Sequence, residues 1–192
     1  CLQKLTGANL KSNPFLVIRS LLLLWHVAPL GLYFVLLARI SEQYGTTHWG
    51  RIVVMACATW GTFLTTFAAT LNNHLPAAIS VLLALWVTLP VWQGKHRATW
   101  RFAAAGLFAA FAAANELPAL SFLALFGGIL FLHSPKQTCG AFLPGAAIVA
   151  VAFFGTNFLA HGSWRPPYAH RSDGANLATF PGHLTDHESD DD

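Results

Sequence analysis

Charged residues are scarce in this chain of 192 residues. Asp, Glu, Lys and Arg together make up 10% of it, whereas hydrophobic residues make up 55%. A soluble domain carries about a quarter charged residues, so this composition argues against an ordinary soluble domain and indicates an integral membrane protein. The net charge is only +3, and the basic residues are spread through separate loops. Nucleic-acid binding is therefore not expected.

Familiar catalytic and ligand-binding motifs are also missing. The three cysteines, Cys1, Cys57 and Cys139, have neither metal-ligand nor disulfide spacing. The sequence has no Gly-rich phosphate loop and no Ser-His-Asp order typical of a hydrolase. These absences argue against nucleotide-driven chemistry in this chain, and residue spacing predicts no metal site.

Long apolar runs are the main feature that the sequence does have. Because about 20 apolar residues cross a hydrocarbon core of about 30 Å, we expect an all-α, polytopic membrane helix bundle with about six transmembrane helices and short loops. The polar segment 1–14 precedes the bundle of residues 15–161, and a soluble C-terminal tail, 162–192, follows it and is expected to be truncated. The predicted spans are residues 15–38, 52–72, 76–92, 99–115, 117–133 and 142–160.

The first span contains three residues that interrupt its apolar character. Pro29 should kink the helix. Arg19 should extend toward the nearer membrane interface. His26 is expected to be a packed or helix-bonding histidine rather than a ligand.

A short sequence occurs twice between apolar runs. Residues 73–77 (NHLPA) return 42 positions later as residues 115–119 (NELPA). Proline suits the first turn of a helix, and the residue before it is pushed out of the helical region. Each copy is therefore predicted to be a turn between two spans. Since two spans and one loop separate the copies, both should lie on the same side of the membrane.

The loops opposite these turns are basic. Residues 39–51, 93–101 and 133–141 hold six Lys or Arg residues, whereas the two turns hold none. The positive-inside rule places these loops in the cytoplasm and the turns outside. Basic residues in segments 1–14 and 162–192 also fall on the outer side and weigh against this orientation.

His74 and Glu116 occupy the variable position of the repeat. Glu116 is the only acidic residue between Gln43 and Arg171, and an acid at membrane depth is a functional candidate. One interpretation is a catalytic acid/base pair, or a pair of metal ligands, in an external cleft. The alternative is that both side chains are polar helix ends in contact with head groups and water.

A basic and aromatic cluster follows the last span. Arginine offers forked donors to phosphate oxygens, so this cluster predicts an anion site, with interfacial anchoring beside lipid head groups as the alternative. The predicted substrate-binding residues on this face are Asn73, Asn115, His161, Arg165, Tyr168, His170 and Arg171.

Three segments resemble a known family: residues 66–78 (TFAATLNNHLPAA), 113–120 (AANELPAL) and 156–163 (TNFLAHGS). Over residues 15–171 the chain resembles part of a bacterial polytopic glycosyltransferase of the GT-C superfamily, close to the mannosyltransferase-like enzymes that use polyprenyl-phosphate sugars. The resemblance implies a multi-pass protein of the bacterial inner membrane, with the bilayer and a lipid-linked sugar donor as partners. Protein partners are not predicted.

The same resemblance implies roles for individual residues. His74, Arg165 and Arg171 would hold the donor phosphate. Glu116 would lie behind the groups that touch the substrate, or on the acceptor side, and would not be the base. Members of the family place an acidic motif in the first external loop, where it acts as base and often binds a divalent metal ion, the one candidate cofactor. Residues 1–14 contain no acidic residue, so either that loop precedes Cys1 or the chain is not a complete enzyme.

A transporter or lipid flippase segment without covalent chemistry is the alternative function. Such a protein favours polar groups in the middle of its spans and helices broken at mid-depth. In this sequence the polar groups gather at one predicted face. That distribution favours the enzyme.

Overall fold

The computed structural model describes residues 13–94 and 98–164. This part of the chain is 85% helical and contains no strand, so the expected all-α bundle is confirmed. The chain divides into two units, Cys1–Ala150 and Val151–Asp192, and each is described by itself. The helices are α1 (Pro14–Tyr44), α2 (His48–Trp60), α3 (Leu64–Phe67), α4 (His74–Trp92), α5 (Thr99–Asn115), α6 (Ala119–His133) and α7 (Pro135–His161).

Three of these helices, α1, α4 and α7, are long and apolar enough to cross a membrane. Helix α6 is apolar but has only 15 residues. The structure therefore supports a membrane protein. The predicted total of six crossings also requires the shorter helices to cross, and for these helices crossing remains a prediction.

Helix α1 is irregular close to Pro29. Residues Leu23–Val27 form a π-helical turn, and the α-helix resumes at Ala28. Proline has no N–H to donate to the preceding turn, and a π-helical turn is one way in which a helix accommodates such a break. The expected irregularity is present, and it brings His26 into the interior of the bundle, where it is 2% exposed.

The expected continuous span over residues 52–72 is wrong in the structure. Helix α2 ends at Trp60, and after a bend the short helix α3 begins at Leu64. The hydroxyl groups of Thr62 and Thr65 donate to the carbonyls of Ala58 and Thr59. Threonine hydroxyls that bond to the backbone compete with helix continuation, and here they stabilise the bend.

The expected loop over residues 133–141 is also shorter than predicted. Only Ser134 separates α6 from α7, because Pro135 already stands at the start of the next helix. Residues Thr138–Phe142 form a second π-helical turn within α7. A single residue thus connects α6 to α7.

The main core lies where α4, α5, α6 and the start of α7 meet. Phe126 stands at its centre, with ring centroids 5.7 Å from Trp92 and 6.3 Å from Phe142. The buried members are Ala84, Val87, Val91, Phe102, Ala105, Ala109, Phe126, Leu130, Ala141 and Phe142. Small residues on α5 allow neighbouring helices to approach closely.

Helices α5 and α7 touch through two glycines, a contact named here the glycine crossing. A Cβ atom added at Gly106 would collide with the Phe142 carbonyl, and one added at Gly145 would collide with the Ala103 carbonyl. Backbone therefore lies against backbone at both points. Any side chain larger than hydrogen must separate the two helices.

Polar contacts link the loops at the end of the bundle opposite the repeated turns. Gln93, after α4, donates to the Tyr44 hydroxyl at the end of α1. The Arg51 guanidinium donates twice to the Gly45 carbonyl, at 2.9 and 3.3 Å. The end of α1, the start of α2 and the end of α4 are thus at a common level.

The second unit is described from residue 151 to residue 164. It contains the last part of α7, which ends at His161 with that side chain exposed. The Phe158 and Trp164 rings stack with centroids 4.6 Å apart. This stack holds the chain that leaves the helix against the last turn.

Candidate functional site

The two repeated turns contact each other. Asn73 donates from Nδ2 to the backbone oxygen of Asn115 at 2.6 Å, and Nδ1 of His74 contacts Oε1 of Glu116. Matching positions of the two copies thus pair with one another, because the antiparallel helices α4 and α5 pack together and bring their turn ends to one level. We call Asn72, Asn73, His74, Asn115 and Glu116 the polar rim.

His74 and Glu116 differ in exposure. The histidine side chain is 51% exposed and the glutamate side chain 23%. Oε1 of Glu116 is buried and has no hydrogen bond of ordinary geometry from the described residues, so the close ion-pair contact with His74 is its polar interaction. The Phe67 ring stacks on the imidazole at 4.9 Å. The imidazole is thus held on two sides.

The contact with Glu116 determines which imidazole nitrogen of His74 is open to a proton donor or acceptor. Nδ1 of His74 faces the carboxylate, and Nε2 has no partner among the described residues. A carboxylate on one ring nitrogen sets the tautomer and orientation of a histidine. The pair therefore has the form of a carboxylate–histidine acid/base group.

Asn72 organises the turn that carries His74. Its Nδ2 donates to the carbonyls of Phe67 and Thr70 at 2.7 and 2.8 Å, and its Oδ1 accepts from the Leu75 N–H. These bonds join both sides of the turn through a single side chain. Asn72 thereby fixes the start of α4.

His26 supports the same turn from α1. Its Nε2 lies 3.1 Å from the Asn72 carbonyl oxygen and 3.3 Å from the Asn72 nitrogen. Either tautomer of the ring thus gives one hydrogen bond to the Asn72 backbone. Nδ1 of His26 is buried without a partner among the described residues. His26 is thus packed in the interior, one of the two roles expected from the sequence, but its hydrogen bond goes to the turn at Asn72 and not to a helix.

An apolar groove of about 440 Å³ lies beside the polar rim. Its volume is within the range of small-molecule sites. Trp25 and Leu71 are more than half exposed, so the groove opens at the bundle surface. It is lined by Leu21, Trp25, His26, Leu71, Asn72, Asn73, Pro76, Phe111 and Asn115.

The structure does not test the remaining predicted site residues. His161 lies in the second unit, at the end of α7. Arg165, Tyr168, His170 and Arg171 lie outside the described residues. The predicted anion site therefore remains a prediction.

A metal-ligand set is not found in the part of the chain that the structure describes. No group of three or more His, Cys, Asp or Glu side chains comes together there. His74 and Glu116 form a pair only, and their facing atoms contact each other. These residues do not fit a divalent ion site, and no catalytic step below is assigned to a metal.

Two contributors to the site were missed by sequence reasoning about function. Phe67 stacks on His74, and Phe111 lines the groove. Nothing in the sequence distinguished Phe67 or Phe111 from the other phenylalanines of the chain.

Comparison with known proteins adds no relative. No protein-family model matches the chain, and neither a curated protein nor a solved structure matches it. The function must therefore be inferred from the site itself.

Proposed function

We propose that this chain is part of a multi-pass membrane glycosyltransferase. It transfers a sugar from a lipid-phosphate carrier to an acceptor hydroxyl on the non-cytoplasmic side of the bacterial inner membrane. The observation that supports this proposal is the His74–Glu116 pair, which lies beside an apolar groove lined by Asn72, Asn73 and Asn115. Such a site pairs an acid/base group with space for a lipid chain.

His74 has the central chemical role in the proposed reaction. The acceptor oxygen forms a bond to the anomeric carbon, and the bond from that carbon to the phosphate oxygen breaks with its electrons on the leaving phosphate. The hydroxyl proton goes to Nε2 of His74, the nitrogen that faces away from Glu116. The carboxylate stabilises the imidazolium that forms.

The test is sugar transfer in membranes that contain the full-length protein, with a labelled lipid-linked sugar as donor. His74→Ala and Glu116→Gln should each lower the rate by a factor of about 100 or more, the usual contribution of a general acid or base. His48→Ala and Glu42→Gln are matched controls, because both side chains are exposed and lie outside the rim. Wild-type transfer by both rim variants would overturn the proposal.

A transporter or lipid flippase is the second candidate, and one observation favours it. The predicted second span is broken between α2 and α3, and broken helices are typical of transport sites. Uptake or lipid-flipping assays in liposomes separate the candidates. Movement of a lipid-linked sugar without any transfer product would show that the protein is a carrier and not an enzyme.

A further inference from the structure

The contact between His26 and Asn72 shows how far along α1 the polar rim lies. His26 lies seven residues after Arg19 (19 to 26), and its ring contacts the Asn72 backbone. At 1.5 Å per residue, the rim is about 10 Å nearer to the middle of the helix than Arg19. The rim is therefore not level with the end of α1.

Arg19 and Arg39 mark the two edges of the apolar part of α1. Both side chains are exposed, and no charged residue lies between them. Their separation of twenty residues corresponds to about 30 Å of helix, the thickness of a hydrocarbon core. If the two arginines lie at the two interfaces, the rim is about 10 Å inside the core.

The length of α4 gives the position of the rim a second time, counted from the edge at Arg39. Gln93 contacts Tyr44, which lies five residues, or about 8 Å, beyond Arg39. Helix α4 has 19 residues, so His74 lies about 28 Å above Gln93. This again places the rim about 10 Å short of the edge at Arg19. Two separate contacts thus give the same depth.

The hydrogen bonding of the turns agrees with this position. Side chains supply the bonds of the irregular backbone: His26 to Asn72, Asn72 to Phe67 and Thr70, and Asn73 to Asn115. A loop in water does not need such partners. Irregular backbone at membrane depth needs them, because no water is available there.

We propose that the polar rim is a binding site about 10 Å inside the hydrocarbon core that takes the hydroxylated head group of a membrane lipid entering sideways through the apolar groove. Oδ1 of Asn73 and Oδ1 of Asn115 accept no hydrogen bond from the described residues, so both are free for hydroxyl donors. Trp25 and Leu71 line the groove on its exposed side and suit an apolar chain. The ligand class rests on the proposed function, whereas the depth does not.

Spin-label accessibility in bilayers tests the depth. Leu117→Cys and Leu71→Cys place labels at exposed positions beside the rim, in a chain whose own cysteines are replaced by serine. Phe15→Cys and Trp49→Cys are exposed controls near the start of α1 and in α2. The rim labels should be reached by oxygen and protected from a nickel chelate, at about 10 Å below an Arg19→Cys label. Chelate access equal to that of the Phe15→Cys control would overturn the proposal, whether the rim is shallow or filled with water.

Thiol modification tests the ligand. The rate at which a maleimide modifies Leu117→Cys is compared in nanodiscs of phosphatidylcholine alone, with a glucosyl diacylglycerol added, and with free glucose added. The glycolipid should slow modification several-fold and glucose should not. Asn73→Ala should abolish the slowing, whereas Gln43→Ala, an exposed residue at the other end of the bundle, should retain it.

The outcomes separate the two proposals. Equal slowing by glucose would overturn sideways entry, and the absence of slowing by the glycolipid would overturn the ligand class. Neither assay measures sugar transfer. A chain with the expected depth and glycolipid protection that transfers no sugar would thus leave this site in place and remove only the enzyme.

Discussion

Helix α5 is held against two neighbours by opposite means. At the polar rim, side chains of α4 and α5 reach each other through Asn73 and the His74–Glu116 pair. At the glycine crossing, α5 meets α7 because Gly106 and Gly145 have no side chain. The rim is partly exposed and carries two titratable side chains, whereas the crossing is closely packed and carries none. We therefore expect substitutions at the crossing to affect stability and substitutions at the rim to affect function.

The largest expected effect on stability is at the glycine crossing. Gly145→Ala should destabilise the protein by about 3 kcal/mol, because the added methyl group meets the Ala103 backbone, which cannot move without separating the helices. Gly140→Ala on the same helix is the matched control, since nothing lies within 4 Å of a Cβ atom there. Unfolding of the purified protein in mixed micelles, followed by tryptophan fluorescence, measures both. Equal stability of the two variants would contradict the close approach of α5 and α7.

An intermediate effect is expected at His26, which supports the rim from beneath. His26→Leu should cost about 2 kcal/mol, because it leaves the buried backbone of Asn72 without its partner. His48→Leu, at an exposed position in the first turn of α2, should change stability by less than about 0.5 kcal/mol. The same unfolding assay applies. If His26→Leu left the free energy of unfolding unchanged, the turn would not depend on α1. The first of the two measures of rim depth would then be lost.

The smallest effect on stability is expected within the rim itself. A double-mutant cycle with His74→Ala and Glu116→Gln should give a coupling of about 0.6 kcal/mol, the average for polar side-chain pairs between membrane helices, because the unfolded chain in the membrane also finds polar partners. The same variants should show large losses in the transfer assay. A coupling of several kcal/mol would mean that the pair is mainly structural, and the contrast with the crossing would then fail.

Several features of this fold could be predicted from sequence because they depend on local pattern. Runs of apolar residues predicted the helices, and the spacing of the two proline turns predicted that they share one end of the bundle. Pro29 predicted the irregularity in α1. Each of these depends on residues that are close in sequence or on a simple alternation of sides.

Other features depend on contacts between distant residues, and local pattern does not contain them. His26 and Asn72 are 46 positions apart, and their contact depends on the π-helical turn that brings His26 inward. The glycine crossing could not be predicted, because it depends on where the backbone of the partner helix lies. The bend after α2 was missed because the apolar run over residues 52–72 predicted one span, whereas the hydroxyl groups of Thr62 and Thr65 bond to carbonyls near the helix end.

The candidate site was only partly foreseen for the same reason. The variable position of the repeat identified His74 and Glu116 as a pair of interest, but sequence did not show that they touch. The groove is formed by residues from α1, from α5, and from the turn that precedes α4 together with the start of α4. No single segment carries a pattern that predicts it. Glycosyl transfer itself remains a prediction.

The π-helical turn in α1 also affects how the two halves of that helix are oriented. Such a turn accommodates one additional residue, which rotates everything before it by about 100° around the helix axis relative to a regular α-helix. Residues Pro14–Leu22 consequently present a different face to the surroundings from the face that a continuous α-helix would give them. Deleting one residue between Leu23 and Val27 would restore regular winding and turn Arg19 and Leu21 to new directions. In related sequences, a gap of a single position within this helix would identify proteins that lack the turn, and in those proteins His26 could not face Asn72.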